Sequence, residues 1–319
     1  MLVTVTSAVV AAPQGRISAA TANLTVWLPD AASDDHIPTQ VFKWGWTMKS
    51  SHCVNAALAV TALVCGETSA QTWHGLGGSA QHTAQTLAPA AALDRIIWST
   101  PIDTNQTLSN GELLAHYGSM MLTYQNTIVL PVKTTRMTSS GLVDSYIVEG
   151  HVAKTGALLW SAASDYEMPP HNWLPVYGPL LVPGNLIAYP ASGGTVMYRT
   201  TPDSATGTIM RNVFYGTMAY AAAQTSYDQN VFINPPISSD TGGNIFFGYE
   251  VLGATPIGLQ SGVARISSKR VGSWTSVQAA TGDASISTAI PYISSSATAR
   301  RAISLVWIAI RLRQSTRCV

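Results

Sequence analysis

The sequence predicts an all-β fold of about three successive four-stranded units, with a helical export segment ahead of them. Three observations predict it. Only 10% of the 319 residues are charged, while Gly 25, Pro 17, Trp 9 and Tyr 12 supply the residues of turns and strands. Three segments of one outline recur at steps of 60 and 57 residues. A Thr-Gly turn followed by a Trp closes one unit and returns in weaker form in the next. Lys plus Arg is 17 against Asp plus Glu 16, for a net charge of +1. That balance excludes a generally basic nucleic-acid binder, an acidic disordered chain and a charge-laced helical bundle. Hydrophobic residues reach 46%, but much of this is Ala spread among Ser, Thr and Gly.

Residues 1–47 mix Ala/Ser/Thr-rich sequence with Trp27, Trp44 and Trp46 and show no sustained period of strand or helix. From Met48-Lys49 the character changes. An apolar run from Val54 to Cys65 is followed by Thr68 and Ala70 at the small-residue positions before a cut at Ala70/Gln71. A lone positive charge, a run of this length and a small-x-small exit make residues 48–70 a signal peptide, or else a buried core helix. The run is shorter than the roughly 20 apolar residues of a transmembrane helix, so no span is expected in the mature chain. Export implies a periplasmic or extracellular protein. On this reading Met48 is the true start and residues 1–47 are a spurious extension. The 3 cysteines are Cys53, Cys65 and Cys318, which leaves the region between without a disulfide framework or a Cys-based metal site.

The recurring units occupy residues 71–276. Their openings read Tyr117-Gly118-SMMLTYQNTIVLPVKT, Tyr177-Gly178-PLLVPGNLIAYPASGG and Asn234-Pro235-PISSDTGGNIFFGYEV. In each, two apolar stretches straddle a tight turn, at Gln125-Asn126, Gly184-Asn185 and Gly242-Gly243, which is a β-hairpin signal. A third strand is expected over 144–153, 194–200 and 261–267, and a fourth closes each unit. The first closure is Ala153-Lys154-Thr155-Gly156-Ala157-Leu158-Leu159-Trp160, the pattern A-x-T-G-x-x-x-W. The second is Ala205-Thr206-Gly207, with Arg211 where Trp belongs. The third keeps Gly272 and Trp274, and Trp98 reads as the end of an earlier unit. In this reading Thr155-Gly156 and Thr206-Gly207 make the turn between third and fourth strands, Gly supplying the left-handed position. Trp98, Trp160 and Trp274 then pack a large apolar face against a neighbouring unit. Four short strands recurring at this length describe blades of a partial β-propeller rather than a sandwich.

The A-x-T-G-x-x-x-W pattern resembles the signature of the pyrroloquinoline-quinone-type repeat of the quinoprotein alcohol dehydrogenase-like superfamily, here as an incomplete copy. The entry Trp73-His74-Gly75-Leu76-Gly77-Gly78 resembles the Trp-and-Gly opening ahead of the first blade in such proteins. The resemblance implies a β-propeller and includes both dehydrogenases and non-catalytic outer-membrane assembly lipoproteins. Its dehydrogenase members would imply pyrroloquinoline quinone over a Trp floor, a calcium ion, an Asp base and often a vicinal Cys pair. The Cys pair is missing between residues 66 and 317. Asp144, Glu149, Asp165, Glu167, Asp203, Asp240 and Glu250 are scattered and read as solvated loop carboxylates, so no cofactor is expected.

The most distinctive loop is Asp165 to Pro179. Its Tyr166, His171, Asn172, Trp173 and Tyr177 suit contact with a carbohydrate or peptide, and packing between units explains the aromatics equally well. His116 and His171, each just ahead of an opening, could share a metal or polar ligand, or satisfy backbone groups between blades. Residues 277–319 form an aberrant or disordered tail, with 5 Arg in the last 20 residues and a possible interfacial helix over 302–310. Fewer blades than the usual 4 to 8 or so leave a flank uncovered, so the isolated chain is expected to be marginally stable or aggregation-prone. The functional expectation is an exported, non-catalytic propeller that binds a protein or carbohydrate through its loops. A fragment of a quinone-dependent dehydrogenase and a structural scaffold in envelope assembly are the alternatives.

Overall fold

Among the described residues, apolar and β-branched runs broken by Gly, Asn and Pro turns pair mostly with their neighbours in sequence. The computed structural model describes residues 2–11, 17–28, 72–79, 82–86, 94–109, 112–114, 118–138, 141–169, 177–233, 236–283, 291–296 and 304–309. The fold is mostly β, in antiparallel sheets with a few helical turns. Strands β1 (Leu2–Ala11), β2 (Ile17–Leu28) and β3 (Arg95–Pro101) form a first sheet in that order. The opening residues therefore do pair as strands: Val and Thr dominate β1, and β-branched residues fit a pleated surface even without clean alternation. A small ribbon, β4 (Thr107–Ser109) and β5 (Glu112–Leu114), follows.

Three larger sheets then succeed one another. The first unit is β6 (Met121–Leu122), β7 (Thr127–Thr138), β8 (Gly141–Val152) and β9 (Leu158–Ala163). The second is β10 (Leu180–Val182), β11 (Leu186–Pro190), β12 (Val196–Arg199) and β13 (Ile209–Asn212). The third is β14 (Val231–Ile233), β15 (Ser238–Ser239), β16 (Ile245–Val251), β17 (Gly262–Ile266) and β18 (Gly272–Ser276), with both β14 and β15 beside β16. The expected third strands fall on β8, β12 and β17.

Helices α1 (Thr217–Ala222) and α2 (Gln224–Asn230) link the second and third units; α1 and the residue after it are rich in Ala, the best helix former, whereas α2 is mostly polar. After β18 comes α3 (Val277–Thr281), capped by the Ser276 hydroxyl accepting from Ala279 N–H. Strands β19 (Pro291–Ser296) and β20 (Ser304–Ala309) pair with each other. The segment expected as an interfacial helix is thus a strand, in keeping with its Leu, Val, Trp and Ile in succession. Residues 48–70, read as a signal peptide, lie outside the described residues. No helix among the described residues is long and apolar enough to cross a membrane.

Strand alternation sends the two faces of the first and second sheets to different cores. Ile128, Leu130 and Val132 of β7 pack with Ile102 and Trp98, whereas Val129, Tyr146 and Val148 pack with Leu181, Ile187 and Tyr189 of the second unit. From the second unit, Leu180, Val182, Ala188, Val196 and Tyr198 turn the other way, onto Ile245, Phe247, Tyr249 and Ile266 of the third. A sheet buried on both faces by its predecessor and successor is one member of a stack, and strands of different units do not intermix.

Candidate functional site

Each unit has a hairpin turn that ends on a left-handed residue. Asn126 and Gly243 hold φ of 62° and 78° and close type I turns in three-residue hairpins, whereas in the second unit Gly184 (φ 94°) and Asn185 (φ 58°) are both at positive φ, with Gly184 at the position a type II turn reserves for it. Asn126 N–H donates to Thr123 O at 3.2 Å, and Gly243 N–H to Asp240 O at 3.1 Å. Asn and Gly tolerate this conformation better than other residues, which is why the turns were legible beforehand.

A segment from far upstream gathers these turns. Trp73 exchanges two backbone hydrogen bonds of 2.9 Å with Leu122 in the first unit. His74 O accepts from Leu181 N–H of the second unit at 2.8 Å, and His82 Nε2 lies 3.1 Å from Ser238 Oγ of the third. Trp73 and His74 thus lie along β6 and β10 and cover edges that would otherwise be open for pairing, while His82 reaches the third unit through its side chain.

Between this segment and the turns lies a cleft of about 410 Å³. His74 and Ser79 line it from the entry segment, Tyr124 from the first turn, residues 181–185 from the second, and Ser239, Asp240 and Thr241 from the third. Tyr124 is 59% exposed. His74 Nδ1 faces the Leu181 carbonyl at 2.9 Å and must donate to it, so in the neutral ring Nε2 accepts from Thr72 Oγ1 at 3.0 Å. Asp240 spends its charge on its own turn, accepting from Gly242 N–H (3.0 Å), Asn244 N–H (2.8 Å) and Asn244 Nδ2 (2.6 Å). Burial pushes the nearby His82 imidazole below its ordinary value and favours the uncharged ring. Asn185 Nδ2 donates to Asp203 Oδ2 at 3.0 Å, and Thr123 Oγ1 donates to the other oxygen of the same carboxylate. Asn185 lines the cleft, and its Oδ1, closed off from solvent, has no donor among the described residues.

Two of the loop residues expected to meet a ligand lie in the core. Tyr166 and Tyr177 are each 1% exposed and pack on Tyr146, with Tyr146 and Tyr177 stacked at 4.2 Å. The Tyr166 hydroxyl donates to Ile233 O at 2.7 Å and that of Tyr177 to Pro190 O at 3.0 Å. Burial raises the Tyr177 phenol well above its ordinary value, so it remains a donor. Of the two readings offered for these rings, packing between units is the one their surroundings match. His116, His171, Asn172 and Trp173 lie outside the described residues.

The repeat residues sit at the joints. Trp98 in β3 donates from Nε1 to Ala153 O at 2.9 Å and stacks on His151 at 5.8 Å. Trp160, 6% exposed, donates to Pro202 O at 2.6 Å beneath the Arg199 guanidinium at 4.3 Å. Thr155 Oγ1 accepts from Ala157 N–H at 3.3 Å, and Gly156 has φ 72° with Trp98 where a Cβ would stand. Gly207 departs from the expectation: its φ is not left-handed, and its hydrogen side chain instead leaves room for Arg199. Thr206 N–H donates to Ser204 Oγ at 3.2 Å in the same turn. Trp274 also departs from it. It is 40% exposed and stands opposite Ala264, on the face directed back toward the second unit. Arg211, in the place of Trp, pairs with Asp165 and donates to Thr195 Oγ1 at 2.5 Å.

The carboxylates read as solvated are largely engaged. Asp144 accepts from Asn105 and Thr107, Glu149 bonds His151, Asp165 pairs with Arg211, Glu167 with Arg136, and Asp203 with Thr123 and Asn185. Among the described residues no three His, Cys, Asp or Glu side chains gather as a metal site would need. Compared with protein-family models, curated proteins and solved structures, the chain finds no match in any of the three.

Proposed function

We propose that this protein is an exported, non-catalytic binding module, a partial β-propeller of pyrroloquinoline-quinone-type repeats whose cleft takes a neutral, hydroxyl-rich ligand such as an oligosaccharide. The propeller reading is supported by sequential sheets of four or five strands, the first two buried on both faces, with Trp98 and Trp160 at their joints. The export reading rests on the composition of residues 48–70. The observation that carries binding is the cleft itself, about 410 Å³, into which the three units and the entry segment bring one exposed ring and several hydroxyl and amide side chains. The exposed Tyr124 ring offers an apolar face to the C–H surface of a sugar, and Ser79, Ser239 and Thr241 supply exchangeable hydroxyls. The Asp240 charge is already satisfied, which favours an uncharged ligand.

Titration calorimetry against neutral and acidic oligosaccharides tests this. Binding of a neutral member is expected, weakened about tenfold by Tyr124→Ala, a change at an exposed site, and by Asn185→Gly, which keeps the left-handed turn. No binding across the panel, or binding indifferent to both changes, would contradict it. Dye-linked alcohol or sugar oxidation after addition of pyrroloquinoline quinone and calcium would replace the reading with a dehydrogenase fragment. Co-purification with envelope components and no sugar binding would replace it with a scaffold.

A further inference from the structure

A lysine with no solvent exposure lies well away from the cleft. Lys133 Nζ in β7 is 3.5 Å from Asp103 Oδ1 and 3.3 Å from Asp144 Oδ1. Strand register brings the three together. Asp103 bridges Lys133 in parallel, Lys133 stands opposite Tyr146 of β8, and Asp144 precedes Tyr146 by two residues on the same face. Lys133 N–H donates to Ile102 O at 2.8 Å and Thr104 N–H to Lys133 O at 2.9 Å, which clamps the Asp103 backbone beside β7. Lys133 Nζ also donates to Asn105 O. Asp144 is held by Asn105 Nδ2 at 2.7 Å and Thr107 Oγ1 at 2.6 Å, with Oδ1 turned to the amine.

Two carboxylates and one ammonium withdrawn from water carry a large desolvation penalty, whereas an amide between two of these groups carries no charge. We propose that Lys133 and Asp103 condense autocatalytically into an intramolecular isopeptide bond, with Asp144 relaying the proton. A proton first passes from the Lys133 ammonium to the Asp103 carboxylate, giving a neutral amine and a carboxylic acid. Burial favours the protonated Asp103 carboxyl, pushing it up even against the opposing pull of Lys133. The amine lone pair attacks Asp103 Cγ and forms the N–C bond, while Asp144 accepts one amine proton. The C–OH bond then breaks, its electron pair leaves with the hydroxyl oxygen, and the proton on Asp144 completes a water molecule. One water is released, Asp144 is regenerated, and no oxidant or co-reactant is consumed. The product fastens the connection that follows β3 to the longest hairpin of the first unit across 30 residues of sequence.

Intact mass spectrometry of the purified full chain decides this without any variant. The expected mass is one water below that of the unmodified chain with the observed termini, and trypsin should release a branched peptide joining Asp103 to Lys133. The lost water should survive hydroxylamine, which opens the succinimide that would otherwise mimic it. Lys133→Arg and Asp144→Ala should restore the full mass. An unmodified wild-type mass, a lost water that persists in Lys133→Arg, or loss of ammonia with a link to Asn105 would each overturn the assignment.

Discussion

The joint between the first and second units and the joint between the second and third do the same job with different residues. At the first, the Trp160 ring lies under Arg199 and its N–H seats on Pro202 O. At the second, the Tyr198 ring lies 3.5 Å from the Arg270 guanidinium, and Asn212 Nδ2 supplies the bond to Arg270 O at 2.8 Å. The joint before them, Trp98 on His151 with Nε1 to Ala153 O, follows the first plan. Each time the ring comes from the earlier unit, the cationic or imidazole partner from the later one, and the accepting carbonyl from the later unit's turn between its last two strands. What recurs is a ring, a flat partner and a seated donor. Trp unites ring and donor in one side chain, while Tyr198 and Asn212 divide them.

The largest expected effect separates the joints. Trp160→Ala removes a buried ring, its cation partner's stacking surface and a hydrogen bond at once, and should cost about 3–5 kcal/mol in urea unfolding. A loss below about 1 kcal/mol would mean the ring is not seated. Next, Gly150→Ala puts a methyl into the Trp160 indole, and about 1–3 kcal/mol should be lost. Combining it with Trp160→Leu should recover part of that loss, since the two sites touch. Asn212→Ala should cost only about 1 kcal/mol, because Tyr198 and Arg270 still stack in its absence. Trp274→Ala is expected to stay within about 0.5 kcal/mol, as its ring is 40% exposed.

The smallest effect is one of pH. Burial opposes the charge on His151, but the Glu149 carboxylate at 3.0 Å and the Gly156 carbonyl outweigh it and hold the imidazole above its ordinary value. Its contribution is fully present below about pH 6.5 and is lost as pH rises through the raised folded-state value. The urea midpoint should therefore fall across that window, and His151→Gln should flatten the fall.

Much of the strand framework was legible because its signals are local. Asn126, Asn185 and Gly243 announce left-handed turns, and the apolar runs on either side pair with each other. The Trp160 position was legible too, but its receptor was not. Nothing in the sequence around Arg199 and Pro202 says that a ring from another sheet will rest there. Trp274 misleads for the complementary reason: a Trp after a Gly looks like the motif, yet its register puts it on the other face of the sheet. The cleft was not legible, since His74, Tyr124, Asn185 and Asp240 come from four separate stretches and none is unusual alone. Tyr166 and Tyr177 looked like binding residues because a Pro-rich aromatic loop has the composition of a contact surface, and composition does not report burial.

Hydrogen exchange of the individual indole N–H groups, followed by NMR in the folded protein, tests the joints most directly. Trp160 should exchange slowest, through opening of its contact with the second unit, Trp98 should also be protected, and Trp274 should exchange at nearly the rate of an exposed indole. Equal rates for all three, or Trp274 protected while Trp160 exchanges freely, would contradict a stack of sheets locked by rings seated on the following turn.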